Sequence, residues 1–121
     1  MKPMRILVVD DEVDFVTALV ERLQIRSIEA EGVTRGFDAL QLIEEKEFDI
    51  VLLDVKMPGL GGLEVIKRIK KDHPNLHVIL LTGHGSAETA EEGMTAGAFD
   101  YLMKPVNIDK LIRLFKKASS D

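Results

Sequence analysis

The sequence contains no cysteine and no tryptophan. Without cysteine, the 121-residue chain forms no disulfide and holds no metal through thiolates, and a reducing compartment such as the cytoplasm suits it. No uninterrupted apolar run exceeds four residues, whereas a membrane-spanning helix needs about 20, so we expect a soluble protein without a membrane segment. The formal net charge of -5 argues against direct binding of nucleic acid.

The residues that are present predict alternating strands and helices in a single domain over residues 1–121. Three continuous apolar runs are typical of parallel strands covered on both faces: Ile6–Val9, Ile50–Leu53 and Val78–Leu81. Two weaker runs indicate strands nearer the edges of the sheet: Ile28–Ala30 and Tyr101–Met103.

Five segments with the apolar spacing of amphipathic helices follow these strands. Their predicted inward residues are Phe15, Leu19 and Leu23; Phe37, Leu40 and Ile43; Leu63, Ile66 and Ile69; Ala87, Ala90 and Met94; and Ile108, Leu111, Ile112 and Phe115. Thr34 and Ser86 are candidate N-caps of the second and fourth helices. Gly97 is placed to end the fourth helix, and the fifth starts near Asn107.

Five strand–helix units predict an α/β fold, with a five-stranded parallel sheet and helices on both faces. The three most hydrophobic strands, the first, third and fourth, belong in the centre. This arrangement predicts the strand order 2-1-3-4-5 of a flavodoxin-like, doubly wound (βα)5 sandwich. In such a fold ligands bind at the carboxyl ends of the strands, near the first and third.

Polar side chains stand where four of the strands end. Asp10 and Asp11 follow the first strand, Asp54 the third, Thr82 the fourth and Lys104 the fifth. Three carboxylates brought together repel one another, and a divalent cation relieves that repulsion. Hard oxygen ligands favour Mg2+, with Mn2+ as the alternative, and an anion that meets both a metal and a lysine is most simply a phosphoryl group.

Each of these residues alone also fits a structural role. Asp10 and Asp11 could cap a helix, Asp54 could be a turn residue, and Lys104 could be a solvated charge. The loop Thr82–Ser86, with two glycines and His84, could bind phosphate or simply connect two elements. Their coincidence at one edge of the sheet favours the functional interpretation.

The sequence resembles the receiver domain of two-component response regulators over essentially its whole length. The matching motifs are ILVVDDE at 6–12, DVKMPG at 54–59, LTG at 81–83 and YLMKP at 101–105.

The resemblance implies that Asp54 is the phosphorylation site. Asp10, Asp11, Asp54 and the backbone carbonyl of Lys56 would then bind the metal, and Thr82 and Lys104 would contact phosphoryl oxygens. It further implies two features of the fifth strand, an aromatic switch at Tyr101 and a cis peptide bond before Pro105. By the same resemblance, Lys56 and His84 occupy positions that vary in the family and tune the lifetime of the aspartyl phosphate.

A receiver domain would accept its phosphoryl group from a phosphohistidine of a sensor histidine kinase or a phosphotransfer protein. It is a switch that assists its own phosphorylation and dephosphorylation, not an enzyme in the usual sense. Phosphorylation would change the face of the fourth helix, fifth strand and fifth helix and signal to an unidentified effector, with transcription among the outputs. The sequence leaves open a phosphorylation-dependent homodimer and whether the chain is a stand-alone regulator or part of a longer one.

Three other functions fit the fold. An aspartate-dependent phosphatase would carry a second acid two residues after its nucleophile, where this chain has Lys56. A flavodoxin-like electron carrier would need a hydroxyl-rich phosphate loop after the first strand, where Asp10, Asp11 and Glu12 stand instead. An interaction module that works without phosphorylation would have no need of the complete acidic set.

Overall fold

A computed structural model describes residues 3–57, 59–83 and 87–120. Strands and helices alternate along these ranges in the following order: β1 (Arg5–Val9), α1 (Val13–Ile25), β2 (Glu29–Val33), α2 (Gly36–Glu45), β3 (Ile50–Asp54), α3 (Gly62–Asp72), β4 (His77–Thr82), α4 (Ala87–Thr95), β5 (Asp100–Met103) and α5 (Ile108–Ser119).

The five strands form one parallel sheet in the order β2-β1-β3-β4-β5. This confirms the predicted flavodoxin-like order. The register aligns the carboxyl ends of the strands, since Val9 lies opposite Leu53 on β3 and Thr82 lies opposite Met103 on β5. Residues that follow these ends therefore meet at one edge of the sheet.

Two hydrophobic cores lie on opposite faces of the sheet. Alternate residues of each central strand enter different cores: Val8 and Leu52 pack with α1 and α5, while Leu7 and Leu53 pack with α2 and α3. Because helices cover both faces, every residue of the three apolar runs is buried. This explains why β1, β3 and β4 are continuous in hydrophobicity rather than alternating.

One predicted inward residue is wrong in each of two helices. On α2, Ile43 is buried as predicted, but Phe37 is 53% exposed and the preceding Gly36 is buried. On α4, Ala90 is buried as predicted, but Met94 is exposed and the preceding Gly93 is buried. A Cβ added at Gly93 would overlap Leu80 Cδ1, so the glycine lets α4 approach β4 closely.

The helix ends agree with the sequence in two cases and differ in a third. Asn107 caps α5, its Oδ1 accepting from the backbone N–H of Lys110 at 3.0 Å. Gly97 follows α4 with φ of +114°, a conformation that favours glycine. Thr34 does not cap α2, because the N-cap position belongs to Arg35, which makes no side-chain cap hydrogen bond. The candidate cap Ser86 lies outside the described residues.

Candidate functional site

Three polar side chains are buried in the described ranges, and all three lie at the carboxyl edge of the central strands. Asp10 directly follows β1 and is 0% exposed, Asp54 ends β3 at 6%, and Thr82 ends β4 at 4%. Burying a carboxylate or a hydroxyl costs free energy unless it gains a partner. Their concentration at one edge therefore indicates a site rather than accidents of packing.

The carboxylates of Asp10, Asp11 and Asp54 form a compact acidic cluster. Each contributes an oxygen within 4.8 Å of the other two, and Asp11 is the exposed member. Backbone donors orient the two buried members. Asp10 Oδ1 accepts from the N–H of Glu12 at 2.9 Å, and Asp54 Oδ1 accepts from the N–H of Lys56 at 3.4 Å.

Lys104 brings an ammonium group into this cluster from the end of β5. Its Nζ lies 2.5 Å from Asp10 Oδ2, 3.1 Å from Glu12 Oε1 and 3.9 Å from Asp54 Oδ2. Its backbone N–H donates to the carbonyl oxygen of Thr82 at 2.8 Å, and its peptide bond to Pro105 is cis. These contacts hold the lysine stem at the end of β4, directed across the edge toward β1.

Burial and neighbouring charge shift the pKa of two groups. Burial, reinforced by the Asp10 carboxylate and partly opposed by Lys104, raises the pKa of Asp54 to about 6. Burial alone would lower the pKa of Lys104, but its hydrogen bonds to Asp10 and Glu12 outweigh that effect and raise it. The ammonium therefore stays charged at neutral pH, whereas burial and the neighbouring Asp10 carboxylate disfavour the ionised form of Asp54.

The donor set at this edge suits a hard divalent cation. The Oγ1 of Thr82 is buried and has no hydrogen-bond partner among the described residues. Within the described ranges, the cluster offers three acidic oxygens close together and includes no nitrogen or sulfur ligand. Mg2+ prefers this chemistry, and its charge would offset the repulsion that raises the pKa of Asp54. The residues thus fit Mg2+, or Mn2+ as the alternative.

Gly62 shapes the turn that follows Asp54, and no functional role for it was predicted. A Cβ at this position would overlap the backbone carbonyl oxygen of Asp54, and the Gly62 N–H donates to the carbonyl oxygen of Val55 at 3.0 Å. The turn therefore folds back against the end of β3. The Gly61–Gly62 pair in the sequence is the one signal that could have indicated this close approach.

Other predicted site residues lie near this edge without joining the cluster. The Lys56 side chain is exposed beyond β3. Tyr101 lies on the edge strand β5 opposite Leu80, and it is 41% exposed. His84, like Pro58, lies outside the described residues.

Glu12 and Phe15 both contact Lys104, although the sequence analysis predicted no functional role for either residue. Glu12 forms the ion pair with Lys104, and the Lys104 Nζ lies 4.5 Å from the centroid of the Phe15 ring. Glu12 belongs to the acidic motif after β1, and Phe15 belongs to the apolar stripe of α1. Neither pattern indicates that these residues contact a lysine about 90 residues away.

The strand order defines a doubly wound α/β protein, and its acidic cluster lies at the topological switch point, where proteins of this fold bind their ligands. Residues 6–116 match the model of the response regulator receiver domain. The chain belongs to this family of two-component signalling proteins, whose receiver domains are phosphoacceptors that interact with histidine kinases.

Relatives of known name or structure agree with this assignment. The transcriptional regulatory protein ZraR of Salmonella typhimurium is 41% identical over 113 residues, which are 93% of this chain and 26% of that protein. The receiver domain of NtrX from Brucella abortus superposes with a TM-score of 0.88 at 37% identity, covering 93% of this chain and 96% of that one. The BeF3-activated DrrB receiver domain gives 0.89 at 33% identity, covering 99% and 100%.

The chain spans about a quarter of the length of the curated relatives it matches. In the part of the chain that the structure describes, no helix combines the length and the apolar character needed to cross a bilayer.

Proposed function

We propose that Asp54 is the residue that accepts the phosphoryl group, with the domain working as a phosphorylation-controlled switch. The observation that carries this proposal is the setting of the Asp54 carboxylate. It is buried at the end of β3, within 4.8 Å of two further carboxylates and 3.9 Å from the Lys104 ammonium. A nucleophilic oxygen between a cation site and a lysine suits in-line transfer to an anionic acceptor.

The donor would be a phosphohistidine of a sensor histidine kinase or of a phosphotransfer protein. The phosphorus–nitrogen bond breaks, a bond from phosphorus to an Asp54 carboxylate oxygen forms, and the imidazole leaves. Lys104 would pair with one phosphoryl oxygen, and the unpartnered Thr82 hydroxyl would donate to another. Water later hydrolyses the acyl phosphate, so the domain assists both its own phosphorylation and its dephosphorylation.

Asp10, Asp11, Asp54 and the backbone carbonyl of Lys56 would hold Mg2+. When bound, the ion supplies positive charge that neutralises the phosphoryl oxygens and the acidic cluster. Asp10 and Asp54 already have backbone donors that fix their carboxylates, so little side-chain rearrangement is needed. The raised pKa of Asp54, caused first by burial and then by Asp10, supports a requirement for added positive charge before this carboxylate reacts.

The output surface would be the face formed by α4, β5 and α5. Tyr101 and Met103 on β5 and Met94 on α4 are exposed there. We propose that Thr82 moves toward the phosphoryl group and that Tyr101 then rotates inward from its present exposed position. Because α4 packs closely on β4 at Gly93, a movement at the end of β4 would be transmitted to this helix.

The output itself is proposed from the relatives. ZraR is a transcriptional regulatory protein, and its matching segment is about a quarter of its length. We propose that this receiver, in the cytoplasm, likewise controls an effector that acts in transcription, while making no direct contact with nucleic acid. Phosphorylation-dependent pairing of two copies through the output surface would be one way to transmit the signal.

Intact-mass spectrometry after incubation with a small acyl phosphate donor tests the proposal. We expect the mass of one phosphoryl group to appear only with Mg2+ and to be absent in Asp54→Asn. Asp38→Asn, which removes an exposed carboxylate from α2, serves as the matched control and should be phosphorylated like the wild type. Phosphorylation of Asp54→Asn to the wild-type extent would contradict the assignment.

A further inference from the structure

We propose that Glu12 and Phe15 form a holding site for the Lys104 ammonium, which we call the lysine clasp, and that the clasp competes with the phosphoryl group for this lysine. The inference rests on the proposed function, because the competition exists only if Asp54 carries a phosphoryl group. It assigns a positioning role to two residues at the start of α1 that neither bind the metal nor touch the reacting atoms.

The first turn of α1 supplies both parts of the clasp. Glu12 occupies the N-cap position, yet its carboxylate makes no cap hydrogen bond with the helix. Instead it lies 3.1 Å from Lys104 Nζ. Phe15 is three residues further, on the same side of the helix, with its ring centroid 4.5 Å from that nitrogen. An anion and an aromatic face thus hold the same ammonium.

The distances show which partners hold the lysine in the unphosphorylated protein. Among its three carboxylate partners, Asp10 is nearest, Glu12 is second, and Asp54 is farthest at 3.9 Å. The ammonium therefore lies on the β1 side of the site. The ion pairs with Asp10 and Glu12 and the contact with the Phe15 ring hold Lys104 there, so they oppose any shift of the ammonium toward a phosphoryl oxygen on Asp54.

Of the two close carboxylate partners of Lys104, Glu12 loses its ion pair at the smaller cost in free energy. Its side chain is 66% exposed, so water can solvate the carboxylate when the lysine leaves, whereas Asp10 is fully buried. Because the Glu12 member of this ion pair is well exposed to water, the pair is worth about a two- to fivefold change in an equilibrium constant. The clasp is therefore strong enough to bias the position of Lys104 and weak enough to open on phosphorylation.

The affinity for beryllium trifluoride, a phosphoryl mimic, measures this competition. We expect Glu12→Gln, titrated in saturating Mg2+ and followed by fluorine NMR, to bind the mimic about two- to fivefold more tightly than the wild type. Asp14→Asn is the matched control, since it removes one exposed negative charge from the same turn without contacting Lys104. It should leave the affinity unchanged.

A second measurement follows the lysine itself. In the free protein, the ring current of Phe15 should change the 1H NMR chemical shifts of the Lys104 ε-methylene protons. This change should disappear when the mimic binds. Phe15→Leu should also bind the mimic more tightly, because the aliphatic side chain keeps the bulk and loses the cation–π contact.

Three results would count against the clasp or its premise. Equal effects of Glu12→Gln and Asp14→Asn would mean that general negative charge weakens binding, which overturns the clasp. A Lys104 shift that does not respond to the mimic would do the same. If the wild type bound no beryllium trifluoride in Mg2+, the proposed function would fail, and the clasp with it.

Discussion

Replacing Asp54 with asparagine should stabilise the protein in the absence of divalent cations, although it removes the residue proposed to be essential for function. Burial, then the Asp10 carboxylate, raises the pKa of Asp54 from 3.8 to about 6. The ionised carboxylate is therefore more costly in the folded state than in the unfolded chain. Asparagine keeps the shape of the side chain and removes the charge.

The magnitude follows from the pKa difference. At about 1.4 kcal/mol per pKa unit, the ionised form of Asp54 costs the folded protein about 3 kcal/mol at neutral pH. A folded-state pKa above the unfolded value means that the folded state binds the proton more tightly. This destabilisation is therefore complete above about pH 7, falls as the pH decreases through about 6, and vanishes below the unfolded pKa of about 4.

Urea unfolding in a chelator at about pH 7.5 measures the effect. We expect Asp54→Asn to raise the free energy of unfolding by up to about 3 kcal/mol, and by about half of that at pH 5. Asp38→Asn should change it by less than about 1 kcal/mol, because that carboxylate is exposed at the first turn of α2. A variant no more stable than the wild type at pH 7.5 would refute the electrostatic argument.

Three further substitutions test other parts of the site and its support. Lys104→Met should lower the free energy of unfolding by about 3 kcal/mol at neutral pH in urea, because Asp10 would stay buried without its counter-charge; an unchanged midpoint would refute this. Gly93→Ala should lower the free energy of unfolding by about 1–3 kcal/mol, and with it the melting temperature, because the added Cβ would overlap Leu80. A raised melting temperature would mean that the better helix propensity of alanine prevails. Thr82→Val should leave stability unchanged or raise it while weakening beryllium trifluoride binding, and undiminished binding would exclude the hydroxyl as a phosphoryl donor.

The sheet could be predicted from sequence because its central strands are buried on both faces. The three central runs are short and continuous in hydrophobicity, a pattern typical of parallel strands covered on both faces: Ile6–Val9, Ile50–Leu53 and Val78–Leu81. The confirmed strand order then places the residues that follow each strand at one edge. For this reason the sequence alone predicts that Asp10, Asp54 and Thr82 lie close together.

The helix faces were less predictable because small residues mediate the closest contacts. A prediction from apolar periodicity depends on large side chains, and it therefore placed Phe37 and Met94 on the buried faces. In the structure Gly36 and Gly93 occupy the buried positions instead. A glycine carries no hydrophobic signal, yet here its lack of a Cβ is what permits the packing. Close helix approach is therefore hidden from a hydrophobicity pattern.

The partners of Lys104 could not be predicted for a different reason. Its position after β5 indicated the site, but which anion it contacts depends on side-chain geometry across the sheet edge. The structure pairs it with Asp10 and Glu12 more closely than with Asp54. The functional roles of these residues stay predictions until phosphorylation is measured.

Mapping the phosphorylated residue tests the central claim most directly. Borohydride reduces an acyl phosphate to an alcohol, so a phosphorylated aspartate is converted to homoserine and can be located by peptide sequencing in a mass spectrometer. After treatment with an acyl phosphate donor and Mg2+, we predict homoserine at position 54, and no homoserine there when Mg2+ is removed by a chelator. Homoserine at Asp10, Asp11 or any other position, with Asp54 intact, would contradict the account.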